Sequence, residues 1–211
     1  MHRALVEAAG GKREEPKAVF GHLHSKLRTD YANDPAFDLF RHLLRDCILS
    51  VWPVAAGETV LGEVQTERRL HSLYSAARDF GVSEELLEPF LIEAGALTAG
   101  DPRYSNRRVF SATDHAALLA EIPTLVSFHT LKSQIGISRT ELARLVSEGL
   151  LTPRVQNEAV HLRWSLPQAK DLLAGLMAKA RQISASDSGW EPFLTASRRC
   201  RQPMSAMIDA V

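Results

Sequence analysis

The chain has 211 residues, of which 25 are Lys or Arg and 25 are Asp or Glu, so its formal net charge is zero. Hydrophobic residues make up 45% and charged residues 24%, as in a soluble globular protein. No stretch approaches the ~18 to 20 apolar residues that cross a bilayer, and the N-terminus lacks the apolar run of a signal peptide. The zero charge also removes any argument for nucleic-acid binding from a global positive field, so that function would depend on local motifs.

Cysteine usage points to a reduced compartment. Cys47 and Cys200 are too far apart in the sequence for a cysteine-based zinc site, and they form no disulfide framework. His22 and His24 have no third ligand near them, so we interpret them as structural. We therefore expect a cytoplasmic protein without metal or cofactor.

The N-terminal quarter reads as a flexible leader (1–16) followed by a helical segment (17–62). Two amphipathic helices are predicted in that segment, the second ending at Pro53, and residues 55–62 are predicted to be a short loop. The stripe of the first helix is formed by Val19, Phe20, Leu23 and Leu27, and that of the second by Phe37, Phe40, Leu44, Cys47, Ile48 and Val51.

An internal repeat dominates the rest of the chain, with a first repeat at 63–122 and a second repeat at 123–183. Matching residues recur 55 positions later, and after a one-residue slip 54 positions later. Such a steady offset indicates two copies of one structural unit. The matched pairs are Gly81 and Gly136, Ser83 and Ser138, Leu87 and Leu142, and Gly95 and Gly149.

The second repeat has the pattern of a helix-turn-helix unit. A first helix carries one apolar stripe, formed by Phe128, Leu131 and Ile135. Gly136 permits the left-handed turn that stops it. Ser138 and Glu141 have capping-box spacing at the start of a second helix, 139–148, which Gly149 ends. Helix, glycine turn and helix together predict the motif.

Strand-like segments after the second helix predict a wing. Leu151–Val155 and Val160–Trp164 are expected to pair as a hairpin, followed by a third helix at 166–180. In the first repeat, 107–110 is the returning strand. Residues 184–211 read as a linker and an incomplete third copy, with Met207 and Ile208 in its second helix. The predicted fold is mainly α: tandem winged helix-turn-helix repeats with small β-hairpin wings, preceded by the N-terminal helical segment.

The second repeat is the better candidate for binding DNA, with five basic residues against three acidic ones between 123 and 165. The first residues of the second helix would reach base edges in the major groove, while the first helix and the wing would meet phosphates. The residues expected at base edges are Ser138, Arg139, Thr140 and Ala143, with Arg144 one turn later, and those expected at phosphates are Lys132, Arg154, His161 and Arg163.

The corresponding helix of the first repeat is acidic. It begins with Glu84 and Glu85 and continues with Glu88 and Glu93, and these carboxylates would be repelled by phosphates. We interpret this helix as facing a protein or solvent. Secondary DNA contacts are predicted only outside it, at Arg103, Arg107, Arg108, Arg198, Arg199 and Arg201.

Segments across the chain resemble the C-terminal half of TniQ/TnsD-type proteins, which are transposon-encoded target-selection proteins. The resemblance is carried by 57–95, which includes Val60-Leu61-Gly62 and 67–72, by Gly-Ile-Ser-Arg at 136–139 and Gly-Leu-Leu at 149–151, and by 190–193. It implies recognition of double-stranded target DNA and contacts with an AAA+ transposition regulator and a transposase. The TniQ domain and Cys/His zinc motifs of that family are not found in this sequence. The second repeat is equally similar to excisionase and MerR-like helix-turn-helix units.

No enzyme motif is present: the sequence has no P-loop, no GxGxxG after a strand, no GxSxG elbow and no HExxH. We predict a protein that is not an enzyme. The leading hypothesis is a DNA-binding protein for transposition target sites. The alternatives are an excisionase- or MerR-like regulator of recombination or transcription, and a helical protein-interaction scaffold without DNA binding.

Overall fold

The computed structural model describes residues 15–179 and 188–209. These residues are mainly helical with small antiparallel strand pairs, which confirms the predicted class. None of the described helices is long and apolar enough to span a bilayer. The chain divides into two compact units, Met1–Ala120 (unit 1) and Glu121–Val211 (unit 2). The predicted leader up to residue 14 and linker residues 184–187 lie outside the described residues.

Unit 1 begins with two helices, α1 (Pro16–Arg28) and α2 (Asp38–Leu49), joined through a 3₁₀ turn at Pro35–Phe37. Both helices were predicted, and Leu44 and Ile48 of the predicted α2 stripe are buried, but the inward face of α2 is rotated away from Phe40. Phe40 is 53% exposed, whereas Arg41 and Arg45 are each 7% exposed. The surrounding core is formed by Leu27, Leu44, Ile48, Leu49, Val60 and Leu61.

A tight hairpin occupies the segment predicted to be a loop at 55–62. Strand β1 (Thr59–Val60) pairs antiparallel with β2 (Glu63–Val64), and the two turn residues, Leu61 and Gly62, have φ of 47° and 84°. Positive φ at both positions gives the twist that suits a two-residue hairpin, although Leu is an unusual residue there. Arg45 crosses from α2 to hold this turn, donating Nε to the Val60 carbonyl and Nη2 to the Leu61 carbonyl, both at 3.0 Å.

The first repeat supplies the rest of unit 1. Strand β3 (Leu70–Ser72) leads into α3 (Leu73–Phe80), and Gly81 with φ 66° separates α3 from α4 (Glu84–Glu93). Ser83 caps α4 by accepting from the Leu86 amide at 3.2 Å. The chain returns through β4 (Val109–Ser111) and continues into α5 (Ala116–Glu121).

Unit 2 repeats this order of elements. Strand β5 (Val126–Ser127) leads into α6 (Phe128–Ile135), and Gly136 with φ 70° separates α6 from α7 (Arg139–Ser147). Strand β6 (Leu162–Trp164) and α8 (Leu166–Lys179) follow. The buried core is formed by Leu131, Ile137, Leu142, Leu145, Leu151, Trp164, Ala169 and Met204.

The predicted hairpin between 151–155 and 160–164 is wrong. Strand β6 pairs with β5, the strand that precedes the first helix, just as β4 pairs with β3 in the first repeat. A single backbone hydrogen bond, from the Arg154 amide to the Arg163 carbonyl at 2.8 Å, joins the two predicted strands. Leu151 and Val155 are each only 1% exposed, because their side chains pack into the core instead of forming a half-exposed strand.

The last described residues form a third helix pair. Helices α9 (Phe193–Cys200) and α10 (Met204–Asp209) flank Arg201, whose φ of 55° places it in the left-handed region where the two repeats have glycine. Met204 is 5% exposed and belongs to the core of unit 2. This pair is therefore built into unit 2.

Candidate nucleic-acid interface

The outward face of α7 combines basic and small side chains. Leu142 and Leu145 point into the core with 7% exposure each, which turns the opposite side of the helix to solvent. That exposed side carries no carboxylate. Its residues are Arg139, Thr140, Ala143, Arg144 and Ser147.

Both acidic residues of α7 are used within the protein. Glu141 accepts from the Ser138 amide at 2.8 Å and completes the capping box, and these hydrogen bonds lower the pKa of its carboxyl. Glu148 accepts from the Ser205 amide at 2.7 Å, and this bond is the main cause of its lowered pKa. The Glu148 side chain is 11% exposed. Neither negative charge therefore lies on the outward face.

The three cations of α6 and α7 differ in whether a carboxylate of the protein lies near them; they are Lys132, Arg139 and Arg144. Arg139 and Lys132 are exposed and form no ion pair with a carboxylate of the described residues. Arg139 lies with its Cζ 6.0 Å from the centroid of the Phe128 ring. Arg144 is 4.0 Å from Glu148, which is beyond hydrogen-bonding distance and gives only weak attraction. The guanidinium groups of α7 thus remain available to a ligand.

Strand β6 and the segment between α7 and β6 contribute the remaining predicted phosphate contacts. Arg154 donates Nε to Glu121 Oε2 at 2.7 Å, so its charge is partly neutralised. Arg163 donates Nη1 to the Gln156 carbonyl at 3.3 Å and lies with its Cζ 5.5 Å from the Trp164 ring centroid. A carbonyl and a ring orient this cation but do not neutralise it. His161 is exposed.

Ion pairs engage three of the predicted secondary contacts. Arg108 pairs with Glu88, while Arg199 pairs with Glu191 at 2.6 Å. Arg103 donates Nε to both oxygens of Asp101, at 2.9 and 3.0 Å, and lowers the pKa of that carboxyl to about 2. A compensated arginine contributes little attraction to a phosphate. The three other secondary residues are Arg107, which is half-buried, and Arg198 and Arg201, which are exposed.

The residues predicted at base edges or at phosphates in the second repeat all lie in unit 2. Of the predicted secondary contacts, Arg103, Arg107 and Arg108 belong to unit 1. Sequence reasoning missed three neighbours of the candidate site: the Phe128 and Trp164 rings and the Glu121 carboxylate. The adjacency of Arg163 and Trp164 was a usable signal. Glu121 gave none, because it lies 33 residues before Arg154.

Comparisons of the chain with protein-family models, curated proteins and solved structures found no match. Among the described residues, no group of three or more His, Cys, Asp or Glu side chains is placed to hold a metal ion.

Proposed function

We propose that this protein binds double-stranded DNA and that the second repeat is a helix-turn-helix module that inserts α7 into the major groove. The observation that carries the proposal is the outward face of α7, which is basic, exposed and free of carboxylates. Arg139 is its leading residue, since it lies at the first position of the helix and has no acidic partner among the described residues.

The dimensions and the exposed side chains of α7 suit the major groove of DNA. An α-helix fits the major groove, and helices of this motif read base edges with their N-terminal residues. Arg139 and Arg144 supply guanidinium donors, and Thr140 supplies a hydroxyl and a methyl group for a thymine. Ala143 lies between them on the same face, where its small side chain permits close approach.

Phosphate contacts fall to the cations beside α7. Lys132 on α6 and Arg163 next to Trp164 form no ion pair with a carboxylate of the described residues, and His161 is exposed two residues before Arg163. Because the chain is neutral overall, we expect moderate affinity from this module alone. Useful affinity then requires a second DNA-binding element or a partner complex.

The biological setting follows from the sequence resemblance to TniQ/TnsD-type proteins. On that basis we propose a role in selecting target sites for transposition, with an AAA+ regulator and a transposase as partners. The acidic α4 supports a protein-facing role for the first repeat, since Glu84, Glu85 and Glu88 occupy the positions of Arg139, Thr140 and Ala143. An excisionase- or MerR-like regulator remains the alternative, because it would use α7 in the same way.

Fluorescence anisotropy of a labelled duplex at 50 and 200 mM salt tests DNA binding directly. Two charged phosphate contacts, Lys132 and Arg163, predict a loss of roughly 12-fold in affinity over that range, because each contact releases condensed counterions. Arg139→Ala should weaken binding about tenfold or more. Arg78→Ala is the control, because Arg78 is exposed and lies in unit 1. Absence of binding at both salt concentrations would leave the interaction scaffold as the function.

Releasing Arg154 from Glu121 is expected to strengthen DNA binding. Glu121→Gln removes the carboxylate at 2.7 Å and frees one cation for a phosphate. Affinity at 100 mM salt should rise roughly threefold, and the salt slope should steepen by about 0.9. Glu158→Gln is the matched control, since it removes one exposed negative charge from the segment that carries Arg154. Equal effects of the two changes in anisotropy titrations would show that Arg154 makes no phosphate contact.

A further inference from the structure

Two arginines of the proposed interface are supported by aromatic rings. The Cζ atom of Arg139 lies 6.0 Å from the Phe128 centroid, and that of Arg163 lies 5.5 Å from the Trp164 centroid. A ring face attracts a guanidinium group without accepting its N–H donors and without cancelling its charge. These two cations are therefore oriented and still able to bind an anion or a base edge.

The Phe128 ring, next to which the Arg139 guanidinium lies, is held in place by its surroundings. It is the first residue of α6, and its partly buried ring packs against the core cluster of unit 2. The preceding Ser127 is fixed twice, because its backbone pairs with Leu162 and its side chain accepts from the Thr130 amide at 3.2 Å. The ring position is thus set by a strand pair, a helix cap and the core together.

Orientation matters for Arg139 because arginine has a flexible side chain. Ordering a rotamer-rich side chain on binding costs free energy, and a contact that already restricts it in the free protein reduces this cost. The restriction helps only a ligand that needs the guanidinium plane in a defined direction. A bidentate acceptor is such a ligand, and both the O6–N7 edge of guanine and the two free oxygens of a phosphate are bidentate. The guanine edge is favoured here because the first residues of this helix meet base edges in the helix-turn-helix motif.

We propose that Arg139 reads a guanine in the major groove and that Phe128 is the positioning residue that presents it. This inference rests on the proposed DNA binding. Guanine offers two acceptors side by side on its major-groove edge, O6 and N7, and both fit the donor fork of arginine. Arg139 is placed to reach it from the first position of α7.

Selection of binding sites from a randomised duplex pool tests both parts. The wild-type protein is expected to select a guanine at one fixed position, and Arg139→Ala should lose that preference by about tenfold or more. Phe128→Leu should reduce the ratio of specific to non-specific affinity about threefold, while Phe128→Tyr retains the ring and should restore it. Placing 7-deazaguanine at the selected position removes N7 and should weaken wild-type binding roughly fivefold, but leave Arg139→Ala unaffected.

A matched control separates positioning from packing. Leu172→Ala removes another partly buried side chain from the same core cluster, and Leu172 lies on α8 and has no ring to offer Arg139, so the change should lower Tm without changing base preference. If Phe128→Leu selects guanine as strongly as the wild type, the positioning role is overturned. If 7-deazaguanine binds as well as guanine, the guanine contact is overturned. If the wild-type protein binds no duplex with salt-dependent affinity, the proposed function itself fails.

Discussion

Replacing Arg139, Thr140 and Ala143 together with glutamate is expected to abolish DNA binding by the second repeat, with a loss of at least about 100-fold at 100 mM salt. The triple variant gives α7 the acidic pattern that α4 has at Glu84, Glu85 and Glu88. It removes Arg139, the proposed leading base contact, and places carboxylates where phosphates and base edges would approach.

The fold should tolerate this triple change. The three side chains are exposed, and the carboxylates at 139 and 140, in the first turn of the helix, interact favourably with its dipole by about 0.3–1 kcal/mol each, which offsets the smaller cost of a glutamate at 143. Thermal unfolding followed by circular dichroism should therefore show an unchanged or higher Tm. Anisotropy titrations measure the loss of binding.

A second triple variant is the control for charge alone. Gln168→Glu, Lys170→Glu and Ala174→Glu make the same change in net charge on exposed positions of α8. We expect this variant to weaken binding only a few-fold, through the general field of the protein. Equal losses in the two triple variants would mean that the face of α7 makes no specific contact.

Arg45→Met is expected to destabilise unit 1 by about 2–4 kcal/mol, because it leaves the inward-facing carbonyls of Val60 and Leu61 without donors. Its ion pair with Glu63 adds little, since the Glu63 side chain is 56% exposed and rehydrates. Methionine fills similar space, so the loss comes mainly from the missing hydrogen bonds.

Urea denaturation and peptide-level hydrogen exchange measure this effect. Exchange should accelerate in α2 and at 59–65, which Arg45 joins, and remain unchanged in unit 2. The control is Arg78→Met, which alters an arginine that is 59% exposed and should cost less than about 1 kcal/mol. Unaltered exchange in α2 and at 59–65 after Arg45→Met would show that the turn holds its conformation without this side chain.

Local signals explain what the sequence predicted well. The capping box of Ser138 and Glu141 and the left-handed Gly136 each act within a few residues, so the expected helix 139–148 agrees closely with α7 at Arg139–Ser147. The Ser83 cap and Gly81 place the start of α4 in the same way. Solvent exposure of Arg139 followed from the spacing of the buried leucines around it.

Long-range pairing explains what the sequence did not predict. Strands β5 and β6 have two and three residues, too few for a pattern of alternation, and more than 30 residues separate them. The ion pair of Arg154 with Glu121 is also long-range, because it joins residues that are 33 positions apart. On α2, hydropathy placed Phe40 inside and gave no sign that Arg41 and Arg45 would be buried, because their role depends on backbone carbonyls contributed by distant segments.

The attachment of α10 to the end of α7 limits how far unit 2 can be shortened. Met204 fills part of the core, and the Ser205 amide is the donor for the Glu148 carboxylate. A fragment that stops after α8 would expose to water the apolar surface that Met204 covers and would leave the Glu148 carboxylate, at the end of α7, without its Ser205 donor. A minimal piece of this protein for co-crystallisation with an oligonucleotide should therefore run through residue 209.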